Sequence, residues 1–340
     1  MTRPDAVRST PAFSWKGRSV FITGAAGFVG SWLSEKLARQ GARVTALVWP
    51  GDEEARWRPF LDFDGVEVVK GYVEDAAGIE RILRDANPDT VFHLAAININ
   101  TGTSVSPLAI FETNIRGTWS VLEACRLTPG VGRVVIASSR EAEESGGTQP
   151  SEAPPAPRRK RHPYQVSKMS AELVAHAYSD TYDMPVAISR SDNIYGGRDL
   201  NWNRLIPGTV RLLLNGEAPT LRSDGTLTRD YVHVDDMVNG YLGLAARAAD
   251  PGVRGEVFHF ATGIGTSVLA IITQLCELAG RPDLKPVILN QSTGERVNQE
   301  RSTARERDLL GWTSRVDIRE GLRSTVEWYR KYFGGTSAPH

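Results

Sequence analysis

Thr23-Gly24-Ala25-Ala26-Gly27-Phe28-Val29-Gly30 follows a β-branched and aromatic run, Arg18 to Thr23, and opens a helical pattern from Phe28 to about Gln40. Each glycine in such a strand-to-helix turn has a physical task. One permits the tight turn, one lets the backbone approach a pyrophosphate, and one lets the helix pack closely on the sheet. The helix N-terminus then offers free N–H groups and the positive end of its dipole to phosphates. A glycine triplet counts as a dinucleotide site only between a strand and a helix, and both flanks are present here. Gly41 stops the helix where a left-handed glycine belongs.

Outward from this turn the pattern repeats. Arg43–Val48, Val66–Val69, Thr90–Leu94 and Arg133–Ala137 read as strands. Helical patterns lie between them at Ala76–Asp85 and Ile110–Arg126. Alternation of this kind implies parallel pairing, and so an α/β chain with a doubly wound parallel sheet. Ser145 to Pro163 is rich in Gly, Pro and charge and reads as an exposed loop. Its Arg158-Arg159-Lys160-Arg161 run is taken as solvated, since so short a basic run is a weak motif for phosphate or nuclear import. After Asp199 the pattern is less regular, with late helices expected at Thr266–Ala279 and Ile318–Tyr332.

Composition narrows the function. The 340 residues hold 40 Lys+Arg against 40 Asp+Glu, so the net charge is zero. Nucleic-acid binding needs a basic excess that the chain as a whole lacks, and nucleic acid is not an expected partner. No apolar run approaches the ~18 residues of a membrane span. Met1 to Ser14 has no apolar stretch of the secretory kind, so a cytoplasmic enzyme with no membrane partner is expected. Cys125 and Cys276 make neither a disulfide framework nor a metal-ligand cluster, so the expectation is two reduced, buried thiols and no metal.

Tyr164-Gln165-Val166-Ser167-Lys168 begins a further helical stretch. Positions i and i+4 share a helix face, and a cation beside a phenol favours phenolate, so Lys168 is expected to lower the Tyr164 pKa. Ser138 and Ser139 end the strand before the long loop, upstream of Tyr164. The Gly-x-x-Gly-x-x-Gly spacing and the Ser…Tyr-x3-Lys order resemble the extended short-chain dehydrogenases/reductases. His93-Leu94-Ala95-Ala96, Asn114-Ile115-Arg116-Gly117-Thr118, Asn193-Ile194-Tyr195-Gly196, Arg229-Asp230-Tyr231-Val232-His233 and the late Leu310-Gly311-Trp312 extend the resemblance over nearly the whole chain, toward nucleotide-sugar epimerases and dehydratases.

The resemblance implies a Rossmann sheet with a smaller, partly interleaved C-terminal substrate domain. The expected division is an extension at 1–16, a dinucleotide-binding domain at 17–190 with 228–260 returning to it, a nucleotide-sugar-binding domain at 191–227 and 261–333, and a tail at 334–340. It implies NAD at Gly24, Gly27, Phe28, Val29, Gly30, Val48, Leu94, Ala95, Ala96, Asn114, Tyr164 and Lys168. NADP stays open. The second strand ends in Val48 and Trp49 rather than a ribose-binding carboxylate, Asp52 comes late, and no Arg follows to welcome a 2′-phosphate. Tyr164 is implied as acid/base, Ser139 as hydrogen-bond partner of the reacting oxygen, and Lys168 as holder of the nicotinamide ribose. Asn193, Arg204 and Arg229 are implied to grip a nucleotide-diphospho-sugar; the alternatives are that Asn193 caps a turn and Arg229 pairs with Asp235. His93 reads as a core histidine.

Glu141 stands two residues after Ser139, where dehydratases of the family carry a base for the C5 proton; the alternative is a carboxylate on a surface loop, like Glu143 and Glu144. Arg140 occupies the place of the aspartic acid of deoxythymidine-diphosphate-glucose dehydratases, and Ala142-Glu143-Glu144 that of the family's Val-Tyr-Gly. Asn193 through Pro207 and Trp15-Lys16-Gly17-Arg18 are similar to cytidine-diphosphate-glucose 4,6-dehydratases. The expected activity is 4,6-dehydration, with 4-epimerisation as the alternative and decarboxylation or ketoreduction behind it. A cofactor-sensing regulator and a reductase of apolar carbonyls are the rivals of other kinds. In the family, helices corresponding to Ile110–Arg126 and Tyr164–Tyr182 form a dimer seam, so a homodimer is expected.

Overall fold

The structure is a computed structural model that describes residues 13–98, 105–143, 161–291 and 302–334. Most of the expected 1–16 extension, most of the 145–163 loop with Arg158, Arg159 and Lys160, and the tail beyond 334 lie outside the described residues.

The chain runs β1 (Ser19–Thr23), α1 (Phe28–Arg39), β2 (Arg43–Val48), α2 (Glu54–Leu61), β3 (Val66–Lys70), α3 (Ala76–Ala86) and β4 (Thr90–His93). It continues through α4 (Pro107–Phe111), a π turn (Glu112–Arg116), α5 (Gly117–Arg126), β5 (Arg133–Ala137), a 3-10 turn (Arg140–Ala142), α6 (Pro163–Tyr182) and β6 (Val186–Ser191). Then come β7 (Asn193–Tyr195), α7 (Leu205–Leu214), β8 (Thr220–Leu221), β9 (Thr228–His233), α8 (Val234–Arg247) and β10 (Val257–Phe260). The last elements are β11 (Gly265–Ser267), α9 (Val268–Leu278), β12 (Val287–Ile288), α10 (Ala304–Leu310) and α11 (Ile318–Phe333).

Seven strands form one sheet in the order β10-β6-β5-β4-β1-β2-β3, with every neighbouring pair parallel. The order reverses between β1 and β4, and in such sheets ligands bind outside the carboxyl ends of the strands at that switch. Side chains alternate faces along each strand. Val20, Ile22, Phe92 and Val135 pack under α1 and α8 with Leu33, Leu37, Met237 and Tyr241. Phe21, Val91, Val134 and Ile136 pack under α3, α5 and α6 with Ile79, Leu83, Val121, Leu122 and Ala175. A third cluster joins Tyr195, Ile206, Val210, Ile271, Leu275, Leu322 and Tyr329 in the C-terminal region. There β9 lies between β7 and β11 in a separate three-stranded sheet, while β10 returns to β6.

Two expected helices differ. The segment Ile110–Arg126 is not one α-helix, because a π turn interrupts it at Glu112–Arg116. The segment Thr266–Ala279 starts as a strand, since Thr266 pairs with Arg229 of β9, and α9 begins only after Ser267, whose hydroxyl accepts from the Ala270 N–H at 3.1 Å. Cys125 and Cys276 are buried free thiols.

Candidate active site

The glycine turn follows β1, Val48 ends β2, Leu94–Ala96 follow β4 and Ser139 follows β5, while Tyr164 and Lys168 lie on α6, Asn193 on β7 and Arg229 on β9. Gly24 leaves β1 with φ +69°, a left-handed conformation. A Cβ on it would stand 2.7 Å from the Ala95 nitrogen, so the loop after β4 crosses against bare backbone. A Cβ on Gly30 would stand 2.2 Å from the Gly24 oxygen, so α1 can seat on the turn only through hydrogen. Gly27 is the N-cap of α1 and provides no side-chain cap, which leaves first-turn N–H groups directed outward. An exposed helix N-terminus without side chains in front of it fits a pyrophosphate. Phe28 and Val29 are half-buried in the first turn, Val48 is buried at the end of β2, and Trp49 beyond it is exposed.

Leu94, Ala95 and Ala96 continue β4 along this wall. Ala95 N–H donates to the Thr23 hydroxyl at 3.1 Å, and that hydroxyl sits 2.8 Å from His93 Nδ1. The His93 Nε2 meets the Thr118 hydroxyl at 3.1 Å, and burial pushes the imidazole pKa down to about 3. His93 is a neutral core histidine, in keeping with its spacing in the strand. The π turn explains Asn114. Its side chain donates to Ile97 O at 2.9 Å and to the Ser167 hydroxyl at 2.9 Å, and accepts from Ile97 N at 2.8 Å. Widened turns of this type recur at functional sites because they re-aim one side chain.

Ser139 follows β5, while Tyr164 and Lys168 lie one turn apart on α6. Ser139 is close enough to the Tyr164 phenol to act on its titration. Burial nonetheless pushes the Tyr164 phenol above its ordinary range, opposed by Ser139 and the Arg204 charge and reinforced by Glu141. The expected depression by Lys168 is not found in the protein alone. The Lys168 ammonium donates instead to Ala137 O at 2.7 Å, and burial brings its pKa down to about 8 against the opposing pull of Glu172. Sharing a helix face brings two side chains near each other but does not make the phenol the ammonium's best acceptor.

Glu141 sits in the 3-10 turn, its N–H donating to the Ser139 hydroxyl at 3.2 Å. Its carboxylate accepts from the Gln165 amide and bears on Tyr164. Gln165 and the N-cap His162 form a capping box, with His162 N–H donating to Gln165 Oε1 at 3.0 Å. Glu143, expected to be solvated, lies 3.6 Å from Arg190 and 3.8 Å from His259. Gln165, Glu172 and Arg190 escaped the sequence reading. A polar residue at the third helical position is a capping signal for Gln165, but nothing local marks the other two.

Arg204 pairs with Asp199 at 3.0 Å and is close enough to Tyr164 to act on its titration. Asn193 donates to Asp230 O at 3.0 Å across β7 and β9 rather than capping a turn. Arg229 Nη1 donates to Thr228 O at 3.0 Å, and Asp235 lies 3.6 Å from His233. Asn193 stands opposite Tyr231, two residues from Arg229, so the two residues belong to neighbouring strands. Among the described residues no group of three His, Cys, Asp or Glu could hold a metal ion, and no helix is long and apolar enough to cross a membrane.

A dinucleotide sheet with Ser139, Tyr164 and Lys168 at its carboxyl edge defines an extended short-chain dehydrogenase/reductase. A family model described as the NAD dependent epimerase/dehydratase family matches residues 20–261, and the chain belongs to this family. It is 32% identical to a UDP-glucose 4-epimerase of Mycolicibacterium smegmatis, over 91% of this chain and 97% of that one. A UDP-glucose 4-epimerase of Thermotoga maritima, solved with UDP-glucose, superposes with a TM-score of 0.79 at 28% identity, covering 92% and 99% of the two chains. A dTDP-glucose 4,6-dehydratase of Streptomyces venezuelae, solved with NAD, superposes with a TM-score of 0.78 at 29% identity, covering 93% and 98%. The protein is thus an enzyme of the NAD-dependent nucleotide-sugar epimerase and dehydratase kind.

Proposed function

We propose that the protein is a nucleotide-hexose 4,6-dehydratase, producing a 4-keto-6-deoxy sugar. The observation that carries this is Glu141, whose carboxylate is held by Gln165 within reach of Tyr164. When bound along the glycine turn, NAD supplies a hydride acceptor for sugar C4 and later returns the hydride. Tyr164 takes the C4 hydroxyl proton, and Ser139 holds the same oxygen. Lys168, held by Ala137 O, would fix the nicotinamide ribose, and the positive charge that acts on the phenol is that of Arg204. The resulting C4 carbonyl acidifies the C5 proton, which Glu141 removes while hydroxide departs from C6. Of the two protons taken up by Tyr164 and Glu141, one leaves with the hydroxide as water and the other goes to C5 when C6 is reduced; Arg140 supplies neither, because a guanidinium stays protonated near neutrality. Asn193, Arg204 and Arg229 hold the diphosphate, Arg through its paired donors. The substrate then lies between residues 17–190 with 228–260 and residues 191–227 with 261–333.

Incubation with nucleotide-diphospho-hexoses should give the alkaline absorbance of a 4-keto sugar, and Glu141→Gln should abolish it. Full dehydration by that variant would sink the assignment. A 4-epimerase is the second reading, favoured by the M. smegmatis relative; it predicts a C4-inverted hexose without loss of water. Thermal shifts with CDP, GDP, UDP and TDP would identify the base, since a ligand bound to the folded state stabilises by mass action.

A homodimer is proposed as well. Leu108 of α4, Trp119 of α5 and Leu173 of α6 are exposed apolar residues on the helices that form the seam in the family. Leu173→Glu should shift the sedimentation coefficient toward that of a monomer.

A further inference from the structure

The turn carrying Glu141 is fastened on both flanks to the end of β6. On one side Arg140 Nη1 donates to Asp192 Oδ1 at 2.8 Å. On the other, Glu143 Oε1 lies 3.6 Å from Arg190 Nη1. Arg190 lies in the last pleat of β6 and Asp192 just beyond its end, so both flanks of the turn are tied to one strand terminus. His259, the register partner of Arg190 on β10, places Nε2 3.8 Å from the same Glu143 oxygen.

Arg190 is itself immobilised. Its Nε donates to Glu172 Oε1 at 2.8 Å and its Nη2 to the other Glu172 oxygen. Glu172 also accepts from the Ser138 hydroxyl, and it is buried one helical turn beyond Lys168. The charges alternate in a way that permits one seating. A reversed turn would bring Arg140 against Arg190 and Glu143 against Asp192, like against like. Within the turn, Ala142 N–H donates to Ser139 O at 2.9 Å and Glu143 N–H to Arg140 O at 3.1 Å, so displacement at either flank is passed to Glu141.

We propose that Arg140 and Glu143 are positioning residues, whose ion pairs with Asp192 and Arg190 hold the Glu141 carboxylate on Gln165, near Tyr164, for the dehydration step. The proposal rests on Glu141 acting as the C5 base. It gives a role to both departures from the family pattern: the arginine replaces an acid with a clamp, and the glutamate supplies the opposite clamp where Val-Tyr-Gly is usual.

The test uses the full chain with NAD and the nucleotide-hexose that it dehydrates. Glu143→Ala and Arg140→Met are compared with Arg140→Lys, which keeps the charge. Two quantities are read: steady-state kcat and KM for the 4-keto-6-deoxy product, and the single-turnover rate of NADH formation, which reports C4 oxidation alone. A misplacement of about 1 Å costs up to ~100-fold in rate, so the Ala and Met variants should lose roughly 10- to 100-fold in kcat, with KM and C4 oxidation within about 2-fold of wild type. Arg140→Lys should recover most of the loss, and the double variant should be no worse than the poorer single one, since both act on one turn. Unchanged kcat in both single variants overturns the proposal, as does a fall in C4 oxidation that matches the fall in dehydration. Wild-type enzyme yielding only C4-inverted sugar instead removes the base assignment, and the clamp with it.

Discussion

Gly24→Ala isolates the geometry of the cofactor turn. An L-residue at φ +69° pays about 1–2 kcal/mol for the left-handed conformation. The new methyl also has nowhere to go: Ala95 N at 2.7 Å, and Ala95 Cα and Leu94 C at 2.9 Å, are all backbone atoms. Relief requires the loop after β4 to move off its hydrogen bond with Thr23, an overpacking cost of about 1–3 kcal/mol. The sum is ~2–5 kcal/mol of folding stability, read as a fall in denaturant midpoint at constant slope. NAD affinity, measured by calorimetric titration, should fall with it, because the displaced Leu94–Ala96 segment is the proposed wall of the site. Gly27→Ala is the control. Its φ is −75° and a Cβ would meet only Gly24 O at 3.1 Å, so stability should change by less than about 1 kcal/mol. NAD binding should still weaken, since the methyl stands where the pyrophosphate approaches. A Gly24→Ala protein within about 0.5 kcal/mol of wild type would refute the reasoning, because it would mean that the turn does not need the conformation seen.

Tyr164→Phe should abolish hydride transfer in single turnover under both the dehydratase and the epimerase readings; wild-type rates would remove Tyr164 from the chemistry. Lys168→Met tests the buried ammonium. Its folded pKa of about 8 against 10.5 means that the unfolded chain holds more protons between those values, so burying the charge costs up to about 3 kcal/mol below pH 8, a cost relieved as pH rises to 10.5. Wild-type stability should therefore gain on Lys168→Met across that window, and parallel pH profiles would contradict it. Asn114→Ala removes three hydrogen bonds and leaves the Ile97 amide unpaired, costing about 2–4 kcal/mol in chemical denaturation.

The first half of the chain was legible because its signals are local. Arg43–Val48 and Arg133–Ala137 are strands at their expected bounds, since β-branched runs and flanking glycines specify them within a few residues. Beyond Ser179 the signals become relational. The strands β6 and β10 pair with each other across more than sixty residues of intervening chain, so neither announces itself. The π turn escaped for a related reason: the sequence from Ile110 to Arg126 is helical in every local respect, and what widens it is the bonding of Asn114 to Ile97 and Ser167.

In the site, the residue types were visible and their partners were not. Glu143 looked solvated because charged residues in an irregular segment usually are, and its neighbours Arg190 and His259 come from two other strands. Lys168 was expected to serve Tyr164 and donates to Ala137 O instead, because a backbone carbonyl at the end of β5 competes for it at 2.7 Å.

The sequence by itself determined the alternation of strand and helix and the glycine turn, and it pointed to Ser139, Tyr164 and Lys168 as candidates. These depend on steric and periodic rules that act over a turn of helix or a pleat of strand. Tertiary structure alone decided what surrounds them: the phenol raised by burial, the ammonium lowered by it, and Glu141 suspended between Gln165 and two ion pairs from β6. Desolvation and charge pairing depend on which distant segments meet, and that is settled only when the sheet closes.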